Sequence, residues 1–347
     1  MDFTHFSAGK DDEGRRLDKI IRRFLSEESL SSLYKSLRKG LIKINGKKCD
    51  INYHVGKGDD IAIANFLLGE KSAGKEKTEA APLPNEIILF KNEGLLFLNK
   101  AYDIPVQPSS SSGGNSLAEM VQKDYDFFHE KSSLSFHTGP LHRLDRKTTG
   151  IIAFSQNLEG ARWFSETIKN HLVQKKYLAL LQGNLRNPQV WQDSIKKEDG
   201  LSVAGGFTGG EAGRGSKDRK KSGFHTVSVN QLSDVHGGKE AYTEIKPLGQ
   251  GLLEGKEITL AEIVIKTGRT HQIRSQSAFH GFPLLGDTAY GGMKISSRLR
   301  QDFFLHAWEL TIPENNPFQL PQKIKAPLGE AFLNVISESG IQLKITN

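Results

Sequence analysis

Near the start of the chain, hydrophobic residues recur at helical spacing and then switch to alternation. Leu17, Ile20, Ile21, Phe24 and Leu25 fall at i, i+3, i+4, i+7 and i+8, the stripe of an amphipathic helix. Ser29 or Ser31 can cap a second helix carrying Leu33, Tyr34 and Leu37, and Gly40 is placed to stop it. Leu41 to Lys47 then reads as a strand entering a hairpin turn at Asn45-Gly46, and Ile61 to Ala64 as a closing strand. The pattern predicts a small module over residues 14–65. Residues 66–84, with Gly69, Gly74, Pro82 and Pro84 and no periodicity, read as a flexible linker.

A larger domain is expected over 85–345. Glu86 to Phe90 and Leu95 to Lys100 read as two strands joined by a polar turn, and 116–128 as a helix through Leu117, Met120 and Val121. Ile151 to Phe154 is strand-like. Asn157 can cap a helix through Trp163, Phe164 and Ile168 that ends near Asn170. Alternation returns at 175–182, 239–245, 260–265 and 304–310. About a dozen strands with few helices in mixed order predict an α+β fold around a mostly antiparallel sheet. Residues 195–223 break the pattern with glycine pairs and a run of Lys and Arg, and read as a flexible insertion.

Composition adds a location for the charge. The 347 residues are 25% charged and 37% apolar, ordinary for a globular chain, with a formal net charge of +7. Between Gly14 and Lys48 there are eleven Lys or Arg against three acids, so this one segment holds more positive excess than the whole chain. A merely solvated helix face would mix the signs; segregation of this kind suits a surface that meets phosphates. One cysteine, Cys49, precludes a disulfide within the chain, fits a reducing cytoplasm, and excludes zinc-dependent base deaminases, which need several ligands at fixed spacing. The polar N-terminus lacks a secretory h-region, and the longest apolar run, Ile61 to Leu68 broken by Asn65, is too short to span a bilayer. The expected setting is the cytoplasm, away from membranes. Gly69 to Lys75 matches a phosphate-binding loop pattern, but Glu76 stands where a hydroxyl is needed for Mg²⁺, so no nucleotide site is read there.

The stretch hardest to explain as packing is Leu141-His142-Arg143-Leu144-Asp145-Arg146-Lys147-Thr148-Thr149-Gly150. An extended backbone there would put Arg143 and Asp145 on one face and His142, Leu144 and Arg146 on the other. Cations on both sides favour an ionised Asp145. Such a carboxylate can be a nucleophile, a general base or a salt-bridged strut, and the stretch alone leaves all three open.

Together with two distant blocks, this stretch resembles the RluA-type pseudouridine synthases. His142 to Arg146 with Thr149-Gly150 is similar to their catalytic-aspartate motif, Lys175 to Gly183 to their tyrosine block, and Thr267 to Arg274, continued by Gly281 to Asp287 and Tyr290-Gly291, to their arginine block. Lys100 ends a strand where the family has Asn-Lys-Pro, with Ala101 in place of the proline. The helix–helix–hairpin order of residues 14–65 resembles the S4 RNA-binding module. The resemblance implies a pseudouridine-synthase fold, a bisected, mostly antiparallel sheet with flanking helices, plus a small N-terminal S4-like α/β module. It implies that Asp145 acts as nucleophile or base at the ribose of an extruded uridine, with the ester and glycal routes both open. Arg274 is expected to pair with Asp145, and Tyr177 to stack on the uracil. Arg143, which could fill the gap left by the flipped base, Arg146, Arg269 and His271 are expected at the RNA. So are Arg15, Arg16, Lys35, Arg38, Lys39, Lys43 and Lys47 of the module. The expected substrate is large-subunit ribosomal RNA, with no metal or cofactor, and the expected state a monomer. A different reading, a catalytically inactive S4-containing RNA-binding or ribosome-assembly factor, predicts that Asp145, Tyr177 or Arg274 is missing, and all three positions are filled.

Overall fold

In the computed structural model the described residues are 1–25, 28–68, 82–108, 116–128, 133–134, 136–197, 227–231, 238–296 and 301–342. The chain opens with β1 (Phe3–Ser7), α1 (Leu17–Phe24), α2 (Leu30–Arg38), β2 (Ile42–Ile44), β3 (Asp60–Ala64) and α3 (Asn65–Leu68). The apolar stripe of α1 is buried as its spacing predicts: Leu17, Ile20 and Ile21 pack with Leu33 and Leu37 of α2 and with Ile42, Ile44, Ile61 and Ile63 of the sheet. Ser29 caps α2 by accepting the Ser32 N–H at 3.2 Å. Asn45 and Gly46 both take positive φ, 49° and 75°, in a two-residue turn that returns Lys47 to Ile44.

The small sheet has the order β1-β3-β2 and is antiparallel throughout. It therefore takes in Phe3–Ser7, which lies before the expected boundary at residue 14. Its pattern, with Phe3 and Phe6 both half-buried and three residues apart, does not alternate, so it carries no strand signal. Asp12 joins this unit to the larger one. Its buried carboxylate accepts the Gly9 and Leu134 N–H groups, each at 2.8 Å, and the Ser133 hydroxyl at 2.9 Å. Of the expected linker, 66–68 belong to α3 and 69–81 lie outside the described residues.

The larger unit runs β4 (Ile88–Lys91), β5 (Leu95–Lys100), α4 (Leu117–Phe128), β6 (Thr149–Ser155), α5 (Leu158–Lys169), β7 (Gln174–Gln182), β8 (Gln189–Lys197), β9 (Val227–Gln231), β10 (Lys239–Leu253), β11 (Lys256–Ile265), α6 (Gln272–Phe279), β12 (Leu305–Thr311), β13 (Lys323–Lys325) and α7 (Glu330–Glu338). Among the described residues these strands form one ten-stranded sheet, β4-β5-β6-β12-β7-β11-β10-β8-β9, with β13 on β12. Every pairing is antiparallel except β6 with β12. The fold is α+β. The insertion expected at 195–223 lies outside the described residues from 198 onward.

Alternation along β7 explains why the sheet is covered on both sides. Tyr177, Ala179 and Leu181 face a core shared with Leu144, Ile273 and Phe303, while Leu178 and Leu180 face Phe332, Val335 and Ile336 of α7. At the start of β6, Gly150 has φ +102°, and a β-carbon there would collide with the Ala307 backbone of β12. The glycine thus permits the close parallel pairing that sets where the preceding loop emerges. Among the described residues no helix is long and apolar enough to cross a membrane.

Candidate active site

Asp145 opens a turn, its carbonyl accepting the Thr148 N–H at 3.0 Å. Residues 141–148 are not a strand, so the expected two-faced alternation does not hold. Leu144 is buried and Arg143 and Arg146 are both exposed, with the Asp145 side chain between them at 20% exposure. His142 Nε2 accepts the Ala153 N–H at 3.0 Å. That contact requires an unprotonated Nε2. Burial, followed by the charge of Lys175, holds the ring down to about 3.

Two basic groups steady this turn from beneath and beside it. Lys100, 1% exposed at the end of β5, donates to the carbonyls of Ala101 (2.9 Å), Ile104 (2.9 Å) and Arg146 (2.7 Å). These use the three N–H donors of an ammonium group and tie the Asp145 turn to the 101–104 loop. Arg146 turns back onto Asp103, with Nε 2.9 Å from its carboxylate, so its guanidinium is already engaged.

Arg274 lies in the first turn of α6 and reaches the same turn. Its Nη1 is 3.9 Å from Asp145 Oδ2. Its main partner, however, is Asp287: Nε and Nη2 donate to the two carboxylate oxygens at 2.7 and 2.8 Å. The guanidinium carbon also sits 4.6 Å from the Phe303 ring centre and 4.9 Å from that of Tyr290. Burial opposes its charge, but the Asp287 hydrogen bonds and charge outweigh it and hold Arg274 above its ordinary value. The pair expected from the sequence is therefore one long contact from an arginine aimed by a different carboxylate.

His271 precedes α6 in a left-handed conformation, φ 52° and ψ 23°. Its Nε2 is 3.9 Å from Asp145 Oδ2 and its Nδ1 2.8 Å from Tyr290 Oη. Tyr177, on β7 between Ile263 and Ala307, is 7% exposed. Burial first, and the charge of Asp145 second, push its phenol above the ordinary value, so it stays protonated. Arg269 donates from Nε to the Glu240 carbonyl at 3.0 Å rather than standing free.

On the small unit, Lys35, Arg38, Lys39 and Lys47 are exposed, and no ion pair engages them among the described residues. Arg15 and Lys43 are half-buried, Lys43 over the Phe3 ring at 4.6 Å, while Arg16 donates to Asp18 at 3.0 Å. Among the described residues no group of three or more His, Cys, Asp or Glu is arranged to hold a metal ion.

Sequence pattern does not single out Asp287, Tyr290 or Lys100 as functional. Asp287 and Tyr290 lie in the block that continues from Arg274, and Lys100 closes a strand before the unusual Ala101. Those positions are the only signal for them.

The profile of the RNA pseudouridylate synthase family matches residues 94–279, and that of the S4 domain matches residues 15–61. Among curated proteins the chain is 25% identical over 337 residues to ribosomal large subunit pseudouridine synthase C of Vibrio vulnificus, covering 94% of this chain and 93% of that one. It is 26% identical over 330 residues to the Escherichia coli K12 protein of the same name, covering 93% and 92%. Among solved structures it resembles human RNA pseudouridylate synthase domain containing 4, with a TM-score of 0.55 and 20% identity over 74% of this chain and 94% of that chain.

Proposed function

The chain belongs to the RNA pseudouridylate synthase family, and from that premise we propose that it converts uridines of large-subunit ribosomal RNA to pseudouridine with Asp145 as the acting carboxylate. The observation that carries the assignment is the setting of Asp145: a partly exposed carboxylate on a pinned turn, with Arg274 and His271 both approaching one of its oxygens. The substrate follows from the curated relatives, which carry large-subunit specificity in their names across nearly the whole chain.

The reaction breaks the bond from ribose C1′ to uracil N1, turns the base, and forms a bond from C1′ to C5. C5 loses its proton and N1 ends with one, so atoms and charge balance without an oxidant. Positive character develops at the sugar as the base leaves, and a fixed carboxylate can attack C1′ or take a proton from C2′. Arg274, its Nη1 3.9 Å from Oδ2, aims Asp145. Tyr177 offers a neutral ring face to the extruded uracil and a hydroxyl near its C5 edge. The base has to leave the stack because C1′ and C5 are inaccessible within it, and Arg143, exposed two residues before Asp145 in the chain, fills the gap. The exposed lysines and arginine of the S4 module supply phosphate contacts away from Asp145.

Asp145→Asn tests this reading. Turnover is lost while RNA affinity stays within about twofold, because the amide keeps the size but neither attacks nor accepts a proton. Chemical mapping of pseudouridine in the large-subunit rRNA of a strain lacking the gene identifies the site. Retained turnover in the variant, or an unchanged rRNA map, contradicts the proposal.

A further inference from the structure

Both basic neighbours of Asp145 make their nearest approach to the same oxygen. Arg274 Nη1 and His271 Nε2 each lie 3.9 Å from Oδ2. Arg274 is aimed by Asp287, and His271 has an aiming partner of its own in Tyr290. Tyr290 Oη accepts the Val227 N–H at 3.4 Å and stands 2.8 Å from His271 Nδ1, within reach to donate its proton there. A neutral imidazole carries a single N–H, so if Nδ1 accepts from Tyr290 the ring's own proton resides on Nε2, the nitrogen facing Asp145.

The surroundings keep the ring neutral. Burial lowers its proton affinity; Asp145 and Asp287 oppose that effect, and Arg274 and Arg143 reinforce it. The backbone also points to a placed side chain rather than a tolerated one. His271 holds φ 52°, where glycine or asparagine would sit more easily, at the entry to α6. Its ring meets Tyr290 edge-to-face at 5.7 Å, and Tyr290 in turn lies against the Arg274 guanidinium. The two donors aimed at Oδ2 are thus braced against one another.

We propose that His271 is a positioning residue for the reaction: Tyr290 fixes its tautomer, and the Nε2–H, 3.9 Å from Oδ2 in this structure, closes on that oxygen together with Arg274 when RNA is bound and leaves Oδ1 to act at the ribose. The proposal rests on the assignment of Asp145 made above. It gives His271 a role distinct from a phosphate contact. A neutral donor orients the carboxylate without adding a second full positive charge that would weaken it as a nucleophile or base.

The test compares His271→Leu, His271→Gln, Tyr290→Phe and Asp145→Asn in the full-length protein on an rRNA fragment containing the mapped site. Single-turnover rate, RNA affinity and the salt dependence of affinity are read for each. Leu and Gln suffer similar backbone strain at this position, so the difference between them reports the missing donor. His271→Leu is expected to slow the single-turnover rate by about tenfold or more with affinity unchanged, the size of one hydrogen bond to a charged group. His271→Gln, whose side-chain amide can stand near the Nε2–H, recovers most of that loss. Tyr290→Phe keeps the ring on Arg274 and loses only the hydroxyl, so it slows the rate with affinity unchanged.

A His271→Leu rate within about twofold of wild type overturns the proposal. So does a loss confined to affinity with a shallower salt dependence, which is the signature of a phosphate contact. Equal losses in the Leu and Gln variants also overturn it, because they mark a merely structural residue. Should His271→Leu fail to fold by circular dichroism, the Tyr290→Phe rate decides, and a wild-type value refutes the tautomer control. Turnover in Asp145→Asn would instead bring down the underlying assignment, whatever the His271 variants do.

Discussion

Arg274 and Asp287 meet through two parallel hydrogen bonds of 2.7 and 2.8 Å in the protein interior, Asp287 being 2% exposed. This fork holds the guanidinium against Phe303 and Tyr290, with Nη1 turned toward Asp145. The proposed catalytic carboxylate is therefore guided by an arginine that is already neutralised. Its distance of 3.9 Å leaves room for the carboxylate to engage a sugar rather than collapse into a tight ion pair.

Removing Asp287 should expose that dependence. Asp287→Ala leaves Arg274 buried with its two best bonds gone, at a cost of about 3–5 kcal/mol in folding stability. The guanidinium then turns to Asp145, and single-turnover rate falls as the two close on each other. Denaturant unfolding and rapid-quench kinetics measure the two effects. A stability loss below about 1 kcal/mol would mean the pair behaves like an exposed one.

Lys100 makes stability depend on alkaline pH. Burial pulls its ammonium from the ordinary lysine value down to about 7, against the opposing charges of Asp145 and Asp103. The unfolded chain then binds the extra proton between pH 7 and the ordinary value near 10.5, so stability rises with pH across that window. Lys100→Met should lose this slope and loosen the turn that carries Asp145. Unfolding midpoints from about pH 7 to 10 for both proteins check it, and parallel curves would contradict it.

Acid has the opposite consequence through two imidazoles whose ordinary proton affinity the fold suppresses. His306, bonded to the Thr149 side chain and the Ala326 carbonyl, is held by burial down to about 4, and His142 down to about 3. Both must be neutral in the folded protein. Below the ordinary value of 6.5 the unfolded chain takes up protons that the folded one refuses, so stability falls as pH drops toward 4 and then 3. His306→Gln should flatten the upper part of that fall, as read from unfolding midpoints at about pH 4 to 7.

The S4 module should speak through salt. Lys35, Arg38 and Lys39 are exposed on or just after α2. Replacing all three with glutamine should weaken RNA binding and flatten log affinity against log salt by about 0.7–0.9 for each phosphate no longer neutralised. The single-turnover rate at saturating RNA should be unchanged. An unaltered slope would place the RNA on another face.

Much of the architecture was legible from the sequence where neighbours along the chain decide the outcome. The α1 stripe, the Ser29 and Asn157 caps, the Asn45-Gly46 turn and the buried runs of β5, β6 and β7 all arise within about one turn or one pleat of the residues that encode them. Asp145, Tyr177 and Arg274 stood out because charged and aromatic residues in those ordered blocks resemble a known family. What the chain alone did not disclose is which partners those residues take. Phe3–Ser7 becomes a strand only because β3 offers an open edge. Lys100 finds Arg146 across 46 positions, and Arg274 gives its fork to Asp287 and only a long Nη1 contact to Asp145. Local sequence sets backbone shape and burial periodicity. The direction of a buried charge is set by whichever opposite charge the folded sheet brings within a few ångströms, and burial magnifies that choice because water can no longer substitute for the missing partner.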